Sequence, residues 1–259
     1  MTATTVGPDF IGVGVQKCAT TWIADVLAQH PQIIIRRKEV NFFVRHFHRG
    51  HGWYRHWFEN RGSHRAGEIT PNYIISPRRN RASKQFYPTW FPRGEMQFWR
   101  RNVSARDEIA NEYPNAKVFA IFRDPVSRAW SHYWMWRNRR ECINKKTVEF
   151  RKMFDDDGRW IQTTGRYADH LAYWLEKFPD MGIYFYDDLK NDRIALAQEI
   201  YRFVDVDDSF EPEEMAKQNK GRYDSMPEED RAALIEVYRD QIERFADMVG
   251  RDLSHWLEV

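Results

Sequence analysis

A lysine followed by small and hydroxyl-bearing residues, Lys17-Cys18-Ala19-Thr20-Thr21-Trp22, is the first stretch of this chain able to do chemistry. Before it runs an apolar, β-branched segment, Phe10 to Val15; after it Trp22, Ile23, Val26 and Leu27 share one helical face. The pattern reads as strand, tight loop and helix start. Unpaired N–H groups at a helix start carry the positive end of the helix dipole, and Lys17 adds a full charge, so the stretch suits a phosphate-bearing anion. Against the ATP-binding pattern G-x-x-x-x-G-K-[ST], with Gly12 in first place, Lys17 stands where glycine is needed and Cys18 where lysine is needed. The ATP reading fails at two fixed positions.

Two further cationic blocks fit the same kind of ligand. Arg123 ends the apolar run Lys117–Phe122, and Pro125 then opens a helix with Val126, Ala129, Trp130, Tyr133 and Trp134 on one face. An arginine leaving a strand and a serine well into the next helix, Ser131, can reach one phosphate. Arg128 in the same helix reads as a surface ion pair. Near the C-terminus, Lys220-Gly221-Arg222 sets two cations about a glycine, whose backbone approaches an anion closely. A carboxylate able to take a proton is Glu39 in Lys38-Glu39-Val40-Asn41-Phe42-Phe43; the plain alternative for it is an exposed pair with Arg36 or Arg37. His46 and His48 are reserve bases.

Together these blocks resemble the sulfotransferases that use 3′-phosphoadenosine 5′-phosphosulfate (PAPS), a family whose fold is similar to that of nucleotide kinases. Lys17, Cys18, Ala19, Thr20, Thr21 and Trp22 fall on the family's phosphosulfate loop, with Cys18 where Gly or Ser is usual. The run from Arg123 to Tyr133 matches the family's R-D-P-x-x-R-x-x-S-x-Y block, which implies that Arg123 and Ser131 bind the 3′-phosphate. Lys220, Gly221 and Arg222 match a late loop on the 3′-phosphate and adenine. Lys38 to Phe43 looks like the K-E-x-x-F-F segment of the carbohydrate enzymes, especially the heparan sulfate type, in which the glutamate is the base. The stretch Glu68-Ile69-Thr70-Pro71-Asn72-Tyr73 is similar to their E-K-[ST]-P-x-Y segment, with Ile69 in place of lysine.

The resemblance implies in-line sulfuryl transfer to an acceptor hydroxyl on a carbohydrate or small molecule, PAPS leaving as adenosine 3′,5′-bisphosphate (PAP), without a metal. Lys17 would stabilise the departing oxygen and Glu39 would take the acceptor proton. A carboxylate is a weak base for an alcohol, so that proton moves late. Lys38, Glu68, Pro71 and Tyr73 are expected on the acceptor side. A small-molecule kinase of related fold and a non-catalytic anion- or glycan-binding relative stay open as alternatives.

The elements that must position these residues alternate between strand and helix. Strands are expected at Phe10–Val15, Ile33–Ile35, Lys117–Phe122 and 182–186, and helices at His46–Phe58, Tyr167–Phe178 and from Ser225 to Gly250, the last with a capping box at Ser225. That alternation predicts an α/β fold of the nucleotide-kinase type, three layers with a central, mainly parallel sheet and ligands at the strands' carboxyl ends. The 259 residues fit one domain, 1–259, with a lid or substrate-facing insertion around 78–110. Forty Lys and Arg against 38 Asp and Glu give no general case for nucleic acid. Two cysteines imply no disulfide framework. No run approaches the roughly 18 apolar residues of a membrane span, and no leader pattern opens the chain, so a soluble, cytoplasmic enzyme is expected. Oligomeric state is not legible.

Overall fold

The computed structural model describes residues 6–75, 104–143, 146–147, 149–154, 159–213 and 224–259. Strands β1 (Phe10–Gly14), β2 (Ile33–Ile34), β3 (Arg65–Ile69), β4 (Lys117–Phe122) and β5 (Gly182–Phe185) form one sheet in the order β2-β3-β1-β4-β5. Every neighbouring pair is parallel. Helices flank this sheet, giving the expected three-layer α/β architecture. β1 is buried along its whole length and β4 in all but Lys117, which is why both read as continuous apolar runs.

β3 is the strand the sequence does not announce. Its residues, Arg-Ala-Gly-Glu-Ile, have neither an apolar run nor alternation. Gly67 pairs with Phe10 in register, and a Cβ there would meet the Phe10 ring at 2.4 Å, so the glycine makes room for that ring in the core.

The helices are α1 (Thr20–Gln29), α2 (Gly50–Arg55), α3 (Ala105–Glu112), α4 (Pro125–Glu141), α5 (Phe150–Lys152), α6 (Arg159–Thr164), α7 (Tyr167–Leu175), α8 (Tyr186–Asn191), α9 (Arg193–Phe203) and α10 (Glu228–Val249). Two expectations are corrected. The single helix expected over His46–Phe58 is a chain of short turns around α2, because Gly50 takes φ 77° and breaks the repeat. Tyr54 and Phe58 still enter the core, as an amphipathic helix would have required. Ser225 caps nothing: α10 starts after Pro227 and gains its dipole partner from Glu228, Glu229 and Asp230. It stops at Gly250, φ 61°, as expected.

The described structure reaches only the end of the insertion expected around 78–110. Residues 104–112 are a packed helix, α3, capped by Ser104 Oγ accepting from Asp107 N–H and anchored by buried Ile109 and Arg106, the latter 2.7 Å from Glu176. The larger part, 76–103, with Trp90 and Trp99, lies outside the described residues.

Candidate active site

All five strands run the same way, so their carboxyl ends lie along one edge. The chain leaves β1 toward β2 and β3 on one side and returns to β4 on the other, which makes the β1–β4 crevice the switch point where such sheets bind ligands. Residues Val15–Ala19 and Arg123 leave the two strands that border it.

The loop after β1 is held in a tight form. Lys17 and Ala19 take φ 73° and 68°, left-handed conformations that non-glycine residues rarely adopt and that cluster at functional sites. The first helical bond runs from Ile23 N–H to Ala19 C=O. The N–H groups of Thr20, Thr21 and Trp22 precede it and face out of the helix start. Burial, then Arg123, then Lys38 hold the Lys17 pKa below its ordinary value, with only Cys18 opposing. Arg123 and Lys38 thus act on Lys17 as further positive charges. That donor set fits a polyanion.

Cys18, expected among the loop's ligands, is corrected. Its side chain is fully buried, with Sγ 3.8 Å from Tyr167 Oη, and its N–H donates to Val15 C=O at 3.1 Å. Burial pushes the thiol up to about 11. It packs the loop from beneath and offers the ligand neither atom.

On the other wall, Asp124 caps α4 through Val126 N–H at 2.9 Å and Ser127 Oγ at 2.6 Å, and receives Arg231 at 3.0 Å. This fixes the turn from which Arg123 projects. Arg123 lies over the Tyr186 ring, 4.7 Å from its centroid, and its carbonyl accepts Tyr167 Oη–H. Ser131 is buried on α4, 6% exposed. Arg128 is not a surface ion pair: it is fully buried, bonded to the Ile161 carbonyl and 3.3 Å from His132 Nδ1, and no carboxylate among the described residues pairs with it. Burial and this guanidinium hold His132 well below its ordinary pKa.

The acceptor side begins at Lys38 and Glu39. Lys38 Nζ donates to Thr21 Oγ1 at 2.6 Å and stands 3.6 Å from Glu39 Oε1. One ammonium thus links the loop-bearing helix to the candidate base. Glu39 is 41% exposed and pairs with Lys38 rather than Arg36 or Arg37; Arg37 instead donates to the Glu39 carbonyl at 3.2 Å. Glu68, Pro71 and Tyr73, expected to touch the acceptor, are buried. The Glu68 carboxylate already accepts from Tyr54 Oη at 2.8 Å, Tyr73 Oη at 3.0 Å, Thr70 Oγ1 at 2.6 Å and Val40 N–H at 2.9 Å, which leaves no lone pair for a substrate. Ile69 faces Gly12, where a Cβ would come within 2.9 Å of it, so a lysine in its place would start from the core.

The sequence reading missed Asn41, φ 56°, and Thr70, both in the wall behind Glu39. Asn before Phe-Phe was the available signal, since asparagine tolerates left-handed backbone. Lys220, Gly221 and Arg222 lie outside the described residues.

A family model described as "Sulfotransferase family" matches residues 8–212. The bifunctional heparan sulfate N-deacetylase/N-sulfotransferase 3 of Mus musculus is 23% identical over 96% of this chain, which spans 31% of that protein. The heparan sulfate glucosamine 3-O-sulfotransferase 3B1 of the same species is 29% identical over 66% of the chain and 39% of the relative. The chain spans about a third of the length of the first curated relatives it matches. In three dimensions it is similar to a sulfotransferase from Alicyclobacillus acidocaldarius, with a TM-score of 0.74 and 22% identity, covering 97% of this chain and 99% of that one. No helix among the described residues is long and apolar enough to cross a membrane.

Proposed function

The chain belongs to the sulfotransferase family, and on that premise we propose that it transfers a sulfuryl group from PAPS to a hydroxyl of a carbohydrate acceptor. The observation that carries this reading is Lys38, which touches Thr21 beside the anion loop and Glu39 on the acceptor side. When bound, PAPS supplies the sulfuryl group and a phosphate leaving group. Lys17 and the N–H groups of Thr20 to Trp22 hold the 5′-phosphate end, and Lys17 neutralises charge on the departing oxygen. Arg123 and Ser131 hold the 3′-phosphate, and the family resemblance adds Lys220, Gly221 and Arg222 to its ligands. Catalysis is then positioning plus charge stabilisation.

Glu39 accepts the acceptor proton as the oxygen bonds to sulfur, and its partial exposure leaves it open to an incoming alcohol. The surface beside it supports a carbohydrate that carries negative charge. Arg37 lies over Trp57 at 5.2 Å and Arg49 over Trp53 at 5.0 Å, and Trp53 and Trp57 meet edge to face. Burial, then Arg49, Arg37, His48 and Arg45, lower the pKa of His46. Aromatic rings suit sugar faces, and the cations suit carboxylate or sulfate groups.

The test is transfer of labelled sulfate from PAPS to a panel of neutral and acidic oligosaccharides, with PAP and ATP–Mg²⁺ compared for their effect on melting temperature. PAP should raise the melting temperature and ATP–Mg²⁺ should not. A rise with ATP–Mg²⁺ alone would overturn the PAPS reading.

A further inference from the structure

Three residues at the end of β3 hold the segment that carries Glu39. Ile69 N–H donates to the Lys38 carbonyl at 2.8 Å. Glu68 Oε2 accepts Val40 N–H at 2.9 Å, and Thr70 Oγ1 accepts Asn41 N–H at 3.2 Å while donating its own hydrogen to Glu68 Oε2 at 2.6 Å. Glu39 therefore sits between a pinned carbonyl and two pinned amides. Its backbone is fixed while its side chain, partly exposed and paired with Lys38, can face a ligand. The next residue but one, Asn41, takes φ 56°, a left-handed conformation that asparagine tolerates.

Stability does not explain why a carboxylate does this work. Glu68 is fully buried, and its bonded partners are two tyrosines, a threonine and an amide, with no cation. Burial pushes its pKa up to about 7, against the pull of those four donors. An apolar side chain of similar volume would avoid that desolvation. What it would not supply is an acceptor for Val40 N–H and for the Thr70 hydroxyl at one point in space.

We propose that Glu68 is a positioning residue: with Thr70, it locks the backbone of residues 38–41 so that Glu39 is presented to the acceptor, while donor binding is left to other elements. This rests on the reading of Glu39 as base. The acidic residue of β3 then acts through the base, without touching substrate.

Single-turnover transfer, PAP-induced melting shifts and amide hydrogen exchange on the full chain test it. Glu68→Leu should slow transfer about a hundredfold, the size of effect that a misplaced group of about 1 Å produces, with an unchanged PAP shift. Amide exchange at Val40 and Asn41 should quicken, and that at the start of α1 should not. Should Glu68→Leu fail to fold, Thr70→Val carries the same test, with Thr70→Ser restoring both rate and protection. In a Glu39→Gln background, Thr70→Val should cause no further loss. A folded variant with a wild-type rate, or a rate that falls in step with PAP affinity, would overturn the proposal. If instead Glu39→Gln itself transfers normally, the base reading fails, while exchange at Val40 and Asn41 still reports whether the clamp exists.

Discussion

The donor and acceptor sides of the site are built differently. The donor side is made of short, self-contained pieces: loop and helix start follow β1 directly, and Arg123, its Asp124 cap and Ser131 follow β4 directly. Its working atoms are cations and backbone N–H groups. The acceptor side depends on bonds between distant residues, with Glu68 holding Val40 from 28 positions away, and its working atom is a carboxylate oxygen. Anion binding needs only charge and a helix start, which local sequence provides. Presenting a base needs a defined backbone, which the sheet provides from elsewhere in the chain.

That contrast predicts that the two sides fail separately. Lys17→Ala should cut the rate of transfer about 10²- to 10³-fold even at saturating donor, as loss of a charge-stabilising donor does elsewhere. An unchanged rate would move the leaving-group role to Lys38. Arg123→Ala should weaken PAP about tenfold to a hundredfold in calorimetry, the loss of a charge-assisted hydrogen bond, and change the saturated rate far less. Lys38→Met is the sharpest probe of the border, because its ammonium touches both sides. It should weaken PAP and slow transfer together, each by about tenfold or less; an effect on one alone would assign Lys38 to that side.

The smallest effect is on stability. Burial raises the Glu68 pKa from 4.5 to about 7. Between those values the folded protein keeps a proton that the unfolded chain has lost, so this residue lowers stability as pH rises through that window. Glu68→Gln removes the titration while keeping an oxygen for Val40 N–H and an NH₂ that the Tyr54 and Tyr73 hydroxyls can accept. Measured by urea midpoint at pH 5 and pH 8, the variant should gain on wild type at the higher pH. A pH-independent difference would mean that Glu68 does not titrate there.

Legibility follows the same division. β1 and β4 were readable because strands covered on both faces are continuous apolar runs, and the loop and the Arg123 block were readable because their chemistry is contiguous. β3 was not, since its glycine and glutamate answer to Phe10 and to residues 40 and 54 rather than to their own neighbours. For that reason Glu68 and Tyr73 read as substrate contacts when they are interior. Cys18 and Arg128 were misread for a related cause: sequence gives a residue's spacing along a loop or helix, and only packing decides which way it turns.

On this reading donor binding and base presentation are separable, with Glu39 on the acceptor side alone. Single-turnover transfer from labelled PAPS by Glu39→Gln, with the PAP-induced melting shift measured on the same preparation, tests it most directly. The expected result is a wild-type shift with transfer reduced at least about a hundredfold, the scale of a lost general base. Transfer near the wild-type rate, or a lost PAP shift, would contradict it.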